Sequence, residues 1–108
     1  MTYPAALAFL TLTFEPKQAK SLVKRLRKAG ISKYEAKDLF RASGLPLLGG
    51  GSFHVERDRQ KILAQTALSP LLLVRAPDLG RLVVADGYHR LCAVYTFDED
   101  AIIPCKIV

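Results

Sequence analysis

Hydrophobic positions follow a helical period through the first half of the chain, while the second half mixes helical stretches with short apolar runs that suit strands. Between Pro16 and Gly30, the residues Ala19, Leu22, Val23, Leu26 and Ala29 form one stripe, with Lys17, Lys20, Lys24 and Arg27 off it. That spacing predicts an amphipathic helix ended by Gly30. From Ser32 to Gly44 a second helix is predicted, because Ser32 and Glu35 stand at capping-box spacing and Gly44 is followed by Pro46. The stretch Pro4 to Thr13 is mixed. Its "LTLTF" alternates like a strand, while Pro4 and the alanines after it suit a helix, and the helix is preferred. Gly49 to Gly51 mark a joint, after which His54 to Ala67 reads as another helix with Val55, Ile62 and Leu63 inward. Beyond it, "SPLLLVRAPDLGRLVVAD" is two short apolar runs around Pro77, Asp78 and Gly80, a β-hairpin pattern. A helix over Tyr88 to Phe97 and a last strand in "AIIPCKIV" complete the reading. Strand, helix and strand in that order suggest a crossover, right-handed if the two strands are parallel.

These elements predict one α/β (α+β) domain, since 108 residues suffice for a single core but not for two. The apolar N-terminal run lasts only about a dozen residues and has neither a basic leader nor a small-residue cleavage site, so it fits neither a signal peptide nor a membrane span. A cytoplasmic protein is expected, with Cys92 and Cys105 as buried thiols in a reducing compartment. No CxxC occurs, which leaves zinc and dithiol chemistry without support.

Charge adds a second theme. The net +6 comes entirely from Glu15 to Arg41, where nine Lys or Arg face three Asp or Glu; elsewhere the count is seven against seven. Such a segment can steer toward nucleic acid or other anions, and a solvated helix face is the plainer alternative. Lys20, Lys24 and Arg27 are the candidate nucleic-acid contacts.

The densest candidate chemistry lies in "DGYHR", Asp86 to Arg90, where an apolar strand meets a helix start. A helix N-terminus offers unpaired N–H groups and the positive end of the dipole to an anion. Gly87 lets the backbone approach closely, and Arg90 supplies a fork that matches phosphate oxygens. Replacing Arg90 is expected to leave the fold intact, with its guanidinium facing a cleft. His89 can donate a hydrogen bond or shuttle a proton; Asp86 can hold magnesium or act as a base. The structural alternative makes Asp86 the helix N-cap and Asp-Gly an ordinary turn. His54 is a further candidate for the same pocket, against a capping or surface role. Gly49 to Gly51 lack the Gly-Lys-Ser ending of a P-loop, and Asp98, Glu99 and Asp100 read as a solvated turn. Arg57, Arg59 and Lys61 are expected on the outside of their helix, with one of them reaching the bound anion as the alternative.

The segment "VVADGYHRLCAVY…AIIPCKIV", preceded by "SPLLLV", resembles the core of the ParB/sulfiredoxin superfamily over about Phe53 to Val108. The first half, residues 1–50, is similar only to small bacterial proteins with the same C-terminal half. The resemblance implies a small mixed sheet with packed helices (53–108) and a helical N-terminal extension (1–50). It further implies a nucleotide-binding module that takes ATP, ADP or CTP with Mg2+, with small-molecule phosphotransfer as its candidate activity. Gly87, His89 and Arg90 would hold the phosphates, with Asp86 as the acidic residue of kinase-like members. The alternative implied by the ParB relationship is a non-enzymatic, DNA-associated adaptor. Sulfiredoxins place a catalytic cysteine where this chain has Tyr88, so sulfinic acid repair is not expected. Partition proteins continue into a helix-turn-helix after this core, whereas this sequence stops at Val108, so full partitioning is not expected either.

Overall fold

Two helices cover one face of a sheet, and their burial follows the hydrophobic stripe read above. The computed structural model describes residues 2–47 and 69–108. In it, α1 (Thr2–Leu10) packs beside α2 (Pro16–Lys28), and α2 buries Ala19, Leu22, Val23 and Leu26. Pro16 opens α2 at a position where its missing N–H costs nothing. The helix ends at Lys28, one residue short of the last member of the predicted stripe: Ala29 is already extended (ψ 143°), because the chain must straighten to enter the sheet.

That entry corrects the second predicted helix. Ser32 to Glu35 form a strand, β1 (Ser32–Glu35), and α3 begins only afterwards (Ala36–Ser43). Ser32 is therefore not a helix cap, and Glu35 occupies the N-cap position without a side-chain capping bond. The first amides of α3 have other partners. Ala36 N–H donates to the Ala101 carbonyl at 2.8 Å and Lys37 N–H to the Glu99 carbonyl at 2.9 Å. Gly44 ends the helix as predicted.

Next among the described residues comes the hairpin, β2 (Leu71–Ala76) and β3 (Arg81–Asp86), joined by a short 3-10 turn over Pro77–Leu79 that closes on Gly80. Then follow α4 (Tyr88–Phe97) and β4 (Ile102–Ile107). The four strands form one mixed sheet in the order β1-β4-β2-β3. β4 is antiparallel to β1 and parallel to β2, and β2 is antiparallel to β3. The fold is α+β. Because β2 lies between β3 and β4, the unit β3-α4-β4 joins antiparallel strands, and the crossover rule for parallel strands does not govern it.

The central strand β2 is buried on both sides, as its unbroken run of Leu71 to Val74 requires. Leu72 and Val74 meet α1, α2, Val83 and Ala85 in one core. Leu71 and Leu73 meet α3, α4, Val84, Ile103 and Cys105 in the other. The N-terminal region, expected as all-helical, thus supplies an edge strand, the α1–α2 layer on one face and α3 on the other. Cys92 and Cys105 are free and fully buried. Burial pushes the Cys105 thiol above its ordinary value. No described helix is long and apolar enough to cross a membrane.

Candidate functional site

The predicted motif lies where β3 hands over to α4. A register shift in the β2–β3 ladder places Asp86 opposite Leu72 while Val84 stays opposite Leu73, so Ala85 is the extra residue of a bulge. Bulges bend a strand and re-aim the residues beside them. Asp86 ends β3, and Gly87, at φ 101° and ψ 16°, takes the N-cap position of α4. The alternative in which Asp86 caps the helix is therefore corrected, since Gly87 holds the N-cap position and no side-chain capping bond is made there among the described residues. Its first backbone bond runs from Leu91 N–H to the Gly87 carbonyl, 2.9 Å.

Only glycine fits this junction. Its φ lies where L side chains are strained, and a Cβ would run into Leu71 Cδ2 and come within 3.0 Å of Arg90 Nη2. The same geometry shows that the Arg90 guanidinium folds back over Gly87 at the start of α4.

Arg90 is more deeply engaged than a cleft-facing fork. Its Nη2 donates to Asp86 Oδ2 at 3.1 Å and its Nη1 to the Ser69 carbonyl, with side-chain exposures of 13% for Arg90 and 21% for Asp86. A cation at a helix N-terminus opposes the dipole, and the Asp86 carboxylate offsets both. Burial is the main influence on that carboxyl and raises its pKa, while Arg90 acts in the opposite direction without cancelling it. The turn therefore sets the Arg90 cation and the helix's positive end against one carboxylate whose charged form burial disfavours.

The structure brings Asp86, Gly87 and Arg90 together and leaves His89 on the exposed side of the same helical turn. Tyr88 points its phenol into apolar surroundings, with its hydroxyl buried and lacking a hydrogen-bond partner among the described residues. Burial, with a smaller contribution from neighbouring Cys92, pushes it up to about 12. Neither Tyr88 nor the buried Cys92 presents an accessible nucleophile.

The remaining candidates lie elsewhere. Lys20, Lys24 and Arg27 are exposed on α2, in the layer that covers the opposite face of the sheet from α4. Arg27 is also stacked on Tyr3, 4.5 Å from the ring centroid. Asp98, Glu99 and Asp100 form an exposed turn in which Asp100 N–H donates to Asp98 Oδ1. There Asp100 pairs with Lys37 at 2.7 Å, clamping the α4–β4 turn to α3. His54, Gly49 to Gly51, Arg57, Arg59 and Lys61 lie outside the described residues. Two parts of the site were missed by the sequence reading: the Ser69 carbonyl that accepts from Arg90, and the Leu71 side chain that packs on Gly87. The only advance signal was their place beside the proline that leads into β2.

Magnesium finds few protein ligands at this turn. Asp86 commits Oδ2 to Arg90, and no three His, Cys, Asp or Glu side chains converge on a point among the described residues. No family model matches the chain, and no curated protein or solved structure matches it either.

Proposed function

We propose that the β3–α4 turn binds the phosphate of a nucleotide such as ATP, ADP or CTP, as the resemblance to the ParB/sulfiredoxin superfamily implies. The observation that carries this reading is the Arg90 guanidinium folded over a helix start that has glycine at its N-cap, balanced by a carboxylate whose charged form burial disfavours. A phosphate brings more acceptor oxygens than Asp86 and meets the same donors. It would share or displace the carboxylate. A phosphotransferase reading adds Asp86 as base or magnesium ligand and His89 as proton or phosphate carrier. With Asp86 engaged by Arg90, the turn's role is binding.

A thermal-shift series with ATP, ADP, CTP and GTP, each with and without magnesium, tests it, because a ligand of the folded state raises apparent stability. At least one nucleotide is expected to raise the melting temperature of the wild type. Asp86→Asn, which removes the competing charge, is expected to enlarge that shift. A shift that shrinks in Asp86→Asn only when magnesium is present would instead make Asp86 a magnesium ligand, and no shift with any nucleotide contradicts the proposal.

A second reading, the DNA-associated adaptor, has its own support. α2 contains no acidic residue, and its six exposed Lys and Arg side chains have no ion-pair partner among the described residues. If this face contacts nucleic acid, duplex affinity falls steeply with salt, and replacing Lys20, Lys24 and Arg27 with Ala lowers it for all sequences alike and flattens the salt slope. Filter binding across a salt series measures both, and an unchanged slope in the triple variant removes the reading.

A further inference from the structure

The end of the sheet away from Gly87 carries a trough that phosphate binding leaves unused. A hollow of about 260 Å³ crosses all four strands, touching Tyr34 of β1, Ile107 of β4, Arg75 of β2 and Leu82 of β3, with Leu39 and Ala42 of α3 as its wall. A second hollow of about 350 Å³ shares Ala42, Arg75 and Leu82 with the first and continues along the hairpin to Arg81. Apart from its arginines and Asp38 on the rim, the lining is chiefly apolar.

The charges decide what fits. Neither the Arg75 nor the Arg81 guanidinium has an ion-pair or hydrogen-bond partner among the described residues. Asp38 is itself paired with Arg41 at 3.8 Å. Two cations without counterions among the described residues therefore stand in and at one end of an apolar trough, the arrangement of a small-ligand site in which a few polar groups orient an otherwise apolar molecule. We infer that the trough binds a small organic carboxylate with an apolar body, its acid group on Arg75 and its body along Leu82, Ile107 and the half-exposed Tyr34 ring. The planar guanidinium matches a carboxylate in a bidentate way, and hollows of this size hold a single ring system better than a protein segment.

The test is an amide-resolved NMR titration of the full-length 15N-labelled chain with 1-naphthylacetate, its neutral amide 1-naphthylacetamide, and inorganic phosphate. The acid is expected to give saturable shifts at Arg75, Leu82 and Ile107, and the neutral amide to bind about tenfold more weakly or less. Phosphate alone is expected to leave these three positions unmoved. Arg75→Gln, at an exposed position, is expected to keep the fold and weaken the acid about tenfold. The inference is overturned if acid and amide bind alike, if Arg75→Gln binds as the wild type does, or if phosphate moves the trough as strongly as the acid. It is equally overturned if no saturable shift occurs there, or if the acid shifts only Gly87 to Arg90.

Discussion

Gly87→Ala is expected to lower the unfolding free energy by about 3 kcal/mol, the largest loss from any single methyl group added at a described glycine. Two costs combine. The backbone at φ 101° charges an L residue roughly 1–2 kcal/mol, and the new Cβ must displace Leu71, which is 1% exposed and belongs to the core under α3 and α4. Gly80 provides the control, because it too has a positive φ of 66° but nothing lies within 4 Å of its added Cβ. Gly80→Ala should therefore show only the backbone cost, about 1 kcal/mol. Urea denaturation of the two variants separates the packing contribution from the conformational one. Equal losses would mean that Leu71 moves aside freely and that the junction is less tightly fixed than described.

Arg90→Ala is expected to cost about 2 kcal/mol at neutral pH, contrary to the expectation from sequence that the fold would be indifferent to it. Breaking a fully buried pair costs roughly 3–5 kcal/mol, and the residual exposure of both partners reduces that figure. The loss arises because Asp86 is left in a poorly solvated place without its cation, and the Ser69 carbonyl loses its donor. The pH dependence has a definite sign. Asp86 already has a folded pKa raised above its ordinary value, and losing Arg90 raises it further. The folded variant then binds a proton more readily than the unfolded chain, so it recovers stability as pH falls through that folded pKa. The deficit relative to wild type should shrink in acid. A deficit that grows in acid would show that the loss does not come from an unpaired Asp86. A double-mutant cycle with Asp86→Asn provides the complementary check, and additive effects would mean that the two side chains are not coupled.

The contrast between these variants and the sequence reading shows which information is local. The buried face of α2 was legible because Ala19, Leu22, Val23 and Leu26 specify a helix and its orientation within thirteen residues. The hairpin turn at Pro77 to Gly80 and the extent of α4 were legible for the same reason. Ser32 to Glu35 was not, because the partner that makes it a strand is β4, paired through Ser32 opposite Cys105 and Glu35 opposite Ile102. A capping-box spacing describes only what a segment can do alone, and seventy residues later the chain provides a better use for its backbone. The motif at Asp86 to Arg90 shows both cases. Its strand, turn and helix were readable from Asp-Gly, whereas the commitment of Arg90 to Asp86 depends on a bulge at Ala85 and a backbone carbonyl at Ser69, and a carbonyl leaves no mark in the choice of residue.

The proposal that this turn receives a nucleotide phosphate is tested most directly by titrating the 15N-labelled chain with ATP, ADP and CTP and following each backbone amide. An anion at the start of α4 must perturb the N–H groups of Gly87, Tyr88, His89 and Arg90 first, together with the Arg90 side-chain resonances, and saturate them with a common affinity. The predicted result is that pattern for at least one nucleotide, abolished in Arg90→Ala under conditions where the variant remains folded. Shifts confined to α2 around Lys20, Lys24 and Arg27, with the amides of Gly87 to Arg90 unmoved, would contradict it.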